Sequence, residues 1–262
     1  MPYKVIVSGN IFEVYHYEKE PKNNLDRFDR PDDYDPFDYE NTKVDIQDRT
    51  HERKTQTIRD ARNLTRRLAL MNFKNNDKFL TLTFDPKKFN DTALYDLDFV
   101  DKEFKKFIQR FNYRFKVKLN YVAVREQHKS GRFHFHMICD WEQEFSCNEQ
   151  IREFERLLGN EVWKNGFVDI KEINHVDNVG AYIIKYMTKD LSLDLYKNKK
   201  LYLCSKGLQR PMVYRGHEAD TIMAAYGLEQ KKEVFTNSYE SEYLGKITYK
   251  EYNMIRLYNN KD

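Results

Sequence analysis

In GRFHFHMICD (131–140), Phe133, Phe135, Met137 and Cys139 alternate with Arg132, His134, His136, Ile138 and Asp140. A period of two is that of a half-buried β-strand, here with the aromatic residues on one face. His134 and His136 then project side by side from the other face. Two imidazoles so placed form half of a metal site or an ordinary polar pair, and only their neighbours separate the two readings.

Upstream, YVAVRE (121–126) has strand character, and HKSG (128–131) supplies a turn into the histidine strand. KFLTLTF (78–84) is a second strand, stopped by Asp85-Pro86. Leu80, Leu82 and Phe84 are expected in its core, with Thr81 and Thr83 on the opposite side. A helix between them carries Val100, Phe104, Phe107, Ile108, Phe111 and Phe115 as its apolar stripe. Downstream, Ser146 and Glu149 suggest a capping box before a helix burying Ile151, Phe154, Leu157, Leu158 and Val162. Asn165-Gly166 then turns the chain into the strand FVDIKEI (167–173), and a last clear helix begins near Asp177. Near the N-terminus, YKVIVS and IFEVYHY flank Gly9-Asn10 as a hairpin. A helix with Ile58, Ala61, Leu64, Leu68 and Met71 on its apolar side leaves Arg59, Arg62 and Arg66 polar. This order predicts an α+β domain whose sheet is at least partly antiparallel. The organisation expected is an N-terminal hairpin and acidic linker (1–48), a main domain (49–195) and a C-terminal extension (196–262) packed on it.

Charge is segregated around a net of +3. Residues 31–48 hold seven acids against one lysine, whereas 49–67 and 101–118 each hold seven bases against two acids. Basic stretches in a nearly neutral chain point to a polyanion, with nucleic acid foremost. Arg59, Arg62, Arg66, Lys105, Lys106 and Arg110 are the candidate DNA contacts, although each alone reads as a surface charge. Three cysteines without a CxxC pair argue against a disulfide framework or structural zinc. No apolar run reaches membrane length and the N-terminus lacks a signal-peptide layout, so no membrane partner and a cytoplasmic location are expected. No GxxxxGK[ST] accompanies the nine glycines, which leaves a motor domain unprovided.

The last helix reads VGAYIIKYMTKD (179–190), with Tyr182, Lys185, Tyr186 and Lys189 at i, i+3, i+4 and i+7. All four share one face, while Val179, Ile183 and Met187 serve the core. A phenol ionises near pH 10, too high for a good nucleophile at neutral pH. A neighbouring lysine favours the phenolate and balances charge on a phosphoryl transition state. Paired histidines holding a divalent cation would polarise the phosphate that such a tyrosine attacks.

FLTLTF (79–84), HFH (134–136) and YIIKYMTK (182–189), in that order, resemble the rolling-circle replication initiators among the HUH endonucleases. The double tyrosine is similar to that of initiators from small single-stranded DNA phages and related plasmids. The resemblance covers 79–189 and implies an antiparallel sheet, flanked by helices, with the histidine strand central and the tyrosine helix opposite the metal. It implies that one tyrosine nicks single-stranded origin DNA and stays on the 5′ phosphate while the 3′ hydroxyl primes synthesis. The second tyrosine would cut again and allow joining. Tyr182 and Tyr186 both satisfy Y-x-x-K, with Lys185 and Lys189, and Tyr182 is the first choice. Magnesium or manganese is implied, held by His134, His136 and a third ligand for which Glu126 is favoured, with His128 and Gln127 behind it.

Register decides Glu126. A four-residue loop pairs it with Phe133 and turns it from the histidines, whereas a five-residue loop or bulge sets it opposite Arg132 on their side. The origin hairpin, a host helicase and DNA polymerase are the partners this reading needs, in a bacterial cytoplasm. An HUH transposase or relaxase and a non-catalytic origin-binding protein remain alternatives. A cupin-like HxH enzyme fits less well, because Glu142 follows too late. Nine of the nineteen tyrosines fall in 196–262, among them Tyr239, Tyr243, Tyr249 and Tyr252, and their packing is favoured over base stacking.

Overall fold

A computed structural model describes residues 3–19, 49–89, 91–128, 130–174, 176–187, 196, 199–241 and 244–259. The acidic segment to residue 48, Lys189 and Tyr243 therefore lie outside the described residues. The chain divides into two compact units, 1–71 with 209–262, and 72–208. These limits differ from those expected at 48 and 195, because the two ends of the chain form one sheet.

That first sheet has the order β8-β1-β2-β10-β9. It pairs β1 (Tyr3–Ser8) and β2 (Ile11–Tyr17) with β8 (Met212–Arg215), β9 (Phe235–Ser241) and β10 (Gly245–Asn253). All four pairings are antiparallel. Ser8 pairs with Ile11 across the expected Gly9-Asn10 turn. Gly9 has φ of 59°, and a Cβ there would come within 2.4 Å of the Leu70 carbonyl oxygen, so glycine is required twice over.

The helix α1 (Arg49–Asn72) departs from the amphipathic reading. Its supposed polar side is buried: Arg66 is 1% exposed, and Arg62 and Arg67 are also buried, whereas Ile58 and Leu64 are only half-buried. Glu13 on β2 takes both Arg66 and Arg67, and Glu251 on β10 takes Arg66. Carboxylates inside the sheet draw the arginines inward, an outcome invisible to a hydrophobicity pattern. Arg66 thus holds this unit together and is withdrawn as a DNA contact; Arg59 and Arg62 belong to the same unit.

The second unit is built on the antiparallel sheet β6-β3-β5-β4-β7. Its strands are β3 (Lys78–Phe84), β4 (Tyr121–Gln127), β5 (Phe133–Cys139), β6 (Gly166–Glu172) and β7 (Tyr202–Cys204). The histidine strand β5 is central, as the family resemblance implies, between β3 and β4. Phe133, Phe135 and Met137 point to one face, where helix α2 (Leu97–Phe115) buries Phe104, Phe107 and Phe111. Phe104 stacks on Phe135 with ring centroids 4.6 Å apart. Trp163, fully buried, closes this side through an indole N–H donated to the Thr83 carbonyl. It ends a π-helical turn (Leu158–Trp163) that follows helix α3 (Asn148–Leu157). The expected Ser146–Glu149 capping box is absent; Gln150 accepts from the Ser146 N–H instead.

Candidate nuclease site

Residues paired directly across a sheet share a face, so the register of three strands writes out the site. One row runs Asp169, Thr81, His136, Val124, and the next runs Phe167, Thr83, His134, Glu126. The hairpin loop spans five residues, 128–132, closed by the His128 N–H on the Arg132 carbonyl at 2.8 Å. Glu126 therefore lies on the histidine side, paired with His134 rather than with the expected Arg132. Its carboxylate Oε2 lies 2.7 Å from His136 Nε2.

The T-x-T of β3 matches the H-x-H of β5 residue for residue. Thr81 Oγ1 meets His136 Nδ1 at 3.3 Å, and Thr83 Oγ1 meets His134 Nδ1 at 3.2 Å. Each hydroxyl fixes a ring and turns its Nε2 away from β3, the role outer partners play for ligating histidines. Burial favours neutral imidazole at both positions. The His136 pKa is lowered mainly by desolvation, against the opposing pull of Glu126. That of His134 is lowered by desolvation and then by His128, whose ring lies 5.8 Å away.

Helix α4 (Val179–Ile184) lays the tyrosines over this face. It is shorter than the sequence suggests: capped by Asn178, whose side chain accepts from the Ala181 N–H, it gives way after Ile184 to a tighter turn. Phe79, wholly buried, is their platform, 4.9 Å from Tyr182 edge-on and 5.4 Å from Tyr186. Tyr186 stacks on His136 at 3.8 Å between centroids. Its phenol is pushed up to about 12, first by desolvation and then by hydrogen bonding with Tyr182, with Glu126 and Asp169 adding to it. Lys185 Nζ lies 5.4 Å from the centre of the Tyr182 ring.

The structure thus gathers His134, His136, Glu126, Tyr182, Tyr186 and Lys185 on one face. Of the fallback ligands, His128 is exposed in the loop beside His134. Gln127 is turned to the other face and tied to the Gly131 carbonyl. Lys105, Lys106 and Arg110 sit on α2, across the sheet from the histidines, and so line no path to them. Sequence reasoning missed Asp169 and the platform role of Phe79; the alternation of FVDIKEI placed Asp169 outward without indicating which strand it would join. Among the described residues, no three His, Cys, Asp or Glu side chains are gathered as a set able to hold an ion. By donor type, however, two oriented imidazoles and an adjacent carboxylate suit a divalent cation.

The antiparallel sheet of this α+β unit thus presents paired histidines and a carboxylate to two tyrosines. Residues 77–191 match the family model of replication-associated protein ORF2/G2P, and this similarity supports a role in DNA replication initiation. No curated protein and no solved structure matches the chain. Among the described residues, no helix is long and apolar enough to cross a membrane.

Proposed function

We propose that this protein is a rolling-circle replication initiator that nicks single-stranded origin DNA through a tyrosine and later rejoins it. The observation that carries the reading is the Tyr186 ring stacked on His136, with Tyr182 beside it and Glu126 beneath. Nothing in ordinary packing calls for two phenols over a histidine–carboxylate pair. In the nicking step a tyrosine oxygen, losing its proton, attacks the scissile phosphorus. The bond to the 3′ oxygen breaks, that oxygen takes a proton, and the 5′ phosphate remains on tyrosine. The free 3′ hydroxyl primes a host polymerase, and a host helicase unwinds the duplex. The reverse attack by a 3′ hydroxyl restores the phosphodiester and frees the tyrosine.

Tyr182 is the better first nucleophile. The Lys185 ammonium, 5.4 Å from the centre of its ring, is placed to balance the negative charge that builds up on the phosphoryl transition state. Tyr186, pressed on His136 with its phenol near 12, ionises less readily and suits the second cut. Lys189 is assigned the same supporting role for Tyr186. His134, His136 and Glu126 would hold Mg2+ or Mn2+, whose chemistry is to polarise the phosphate oxygen and steady the leaving group. Thr81 and Thr83 keep the two rings turned for that purpose.

The test is a labelled single-stranded oligonucleotide spanning the presumed nick site, incubated with Mn2+ or EDTA and run on a denaturing gel. A metal-dependent protein–DNA adduct is expected, lost in Tyr182→Phe and in His134→Ala and retained for a single turnover in Tyr186→Phe. Binding without any adduct from the wild type would instead favour the non-catalytic origin-binding reading.

A further inference from the structure

On the far side of the second unit's sheet, α2 carries Lys102, Lys105, Lys106, Gln109 and Tyr113 at i, i+3, i+4, i+7 and i+11. That spacing makes one continuous helix stripe, about 16 Å long from Lys102 to Tyr113 at 1.5 Å per residue. Tyr113 is 87% exposed, the most exposed large apolar side chain among the described residues. It stands at an open groove of about 340 Å³ lined by Gln109, Arg110, Tyr113, Arg114, Glu161 and Lys164. Arg110 reaches over to the Val162 and Trp163 carbonyls, which fixes one wall.

Three cations and an amide surround one ring, with Glu161 the sole acid of the groove, paired to Arg114 at 3.2 Å. On the stripe above, Lys106 is paired with the Glu103 carboxylate, which also accepts from Asn165, and Lys102 and Lys105 carry the rest of the ridge's positive charge. A ring packed into a core would not be so exposed, and a helix face meant only for solvent needs no aromatic.

We infer that this ridge and groove form a second binding surface for single-stranded DNA, with Tyr113 stacking on an unpaired base and the flanking cations taking phosphates. The combination of a cationic track and an aromatic platform is the one that holds single strands without reading their sequence. It rests on the proposed handling of origin DNA, but is separate from the histidine face, from which the whole sheet divides it. A strand displaced or not yet cut would lie here while the nick site is held opposite. Lys105, Lys106 and Arg110 then belong to this surface.

The experiment is fluorescence anisotropy in EDTA, with the full chain and a 5′-fluorescein-labelled dT20. Stacking of one base predicts that Tyr113→Ala weakens binding about tenfold and that Tyr113→Phe restores it. Arg114→Gln should weaken binding less and flatten its salt dependence. An abasic 20-mer, equal in charge but lacking bases, should bind wild type and Tyr113→Ala alike. Unchanged dT20 affinity in Tyr113→Ala overturns the proposal, as does tighter binding of U20 RNA than of dT20. Because no adduct is scored, a failure here and a failure of the nicking reading are told apart by separate assays.

Discussion

At the scale of single residues, the threonines of β3 carry the most information about the site. Both hydroxyls meet Nδ1 of the histidine directly across the strand pair, at 3.3 and 3.2 Å. If they hold the rings for an incoming cation, Thr81→Val and Thr83→Val should each weaken Mn2+ binding by about tenfold or more, as outer-partner losses do. Thr→Ser at either position keeps the oxygen and should bind like wild type. Mn2+ EPR titration reads this without any turnover, and a Val variant with unaltered affinity would remove the threonines from the site. This part was legible: the alternation of FLTLTF and FHFHMIC put the right residues on the right faces. What the sequence did not contain was the loop's true length. One residue in the 128–132 turn decides whether Glu126 meets His134 or points into the aromatic face, and turn composition alone does not count that residue.

Among the elements, α4 is the least able to stand alone. Six residues fall far below the length at which a helix sustains itself in water, so the cap and the sheet beneath must hold it. Asn178 accepts from the Ala181 N–H at 2.8 Å, and Phe79 supports both tyrosine rings. Asn178→Ala should therefore cost about 1 kcal/mol and shift the tyrosines, whereas Asn178→Asp should be close to neutral. The checks are thermal unfolding and adduct yield: equal yield from the Ala variant would show that Phe79 and His136 position the rings unaided. By contrast, α2 followed its pattern closely, because Phe104, Phe107 and Phe111 had an aromatic sheet face to meet. The helix α1 broke its pattern because its partners are Glu13 and Glu251, on strands from opposite ends of the chain, with Glu251 185 residues from Arg66. Periodicity reports what a helix can bury, and here charge complementarity across distant strands chose the other face.

For the whole molecule, the same buried cluster decides how the first unit responds to acid. Neither end of the chain advertises that β1, β2, β8, β9 and β10 share a sheet, since strand pairing between the termini is non-local and leaves no local signature. Its interior is recorded in one carboxyl group. Glu13 is 1% exposed, and Arg67 and Arg66 beside it, with hydrogen bonds from Arg67 and Tyr249, outweigh the cost of burial. Its pKa is lowered from 4.5 to about 2. A depressed folded-state value means that the unfolded chain binds the proton more tightly. The stabilisation is complete above pH 4.5 and is lost as pH falls toward 2, amounting to roughly 3 kcal/mol over that window. Chemical denaturation followed between pH 6 and 3 should show this loss for the wild type. In Glu13→Gln the dependence should shrink while stability at pH 6 drops by several kcal/mol, because the buried Arg66 and Arg67 lose the carboxylate they share. A Gln variant as stable as wild type at pH 6, with the same acid slope, would place the acid sensitivity elsewhere and reduce the cluster to packing.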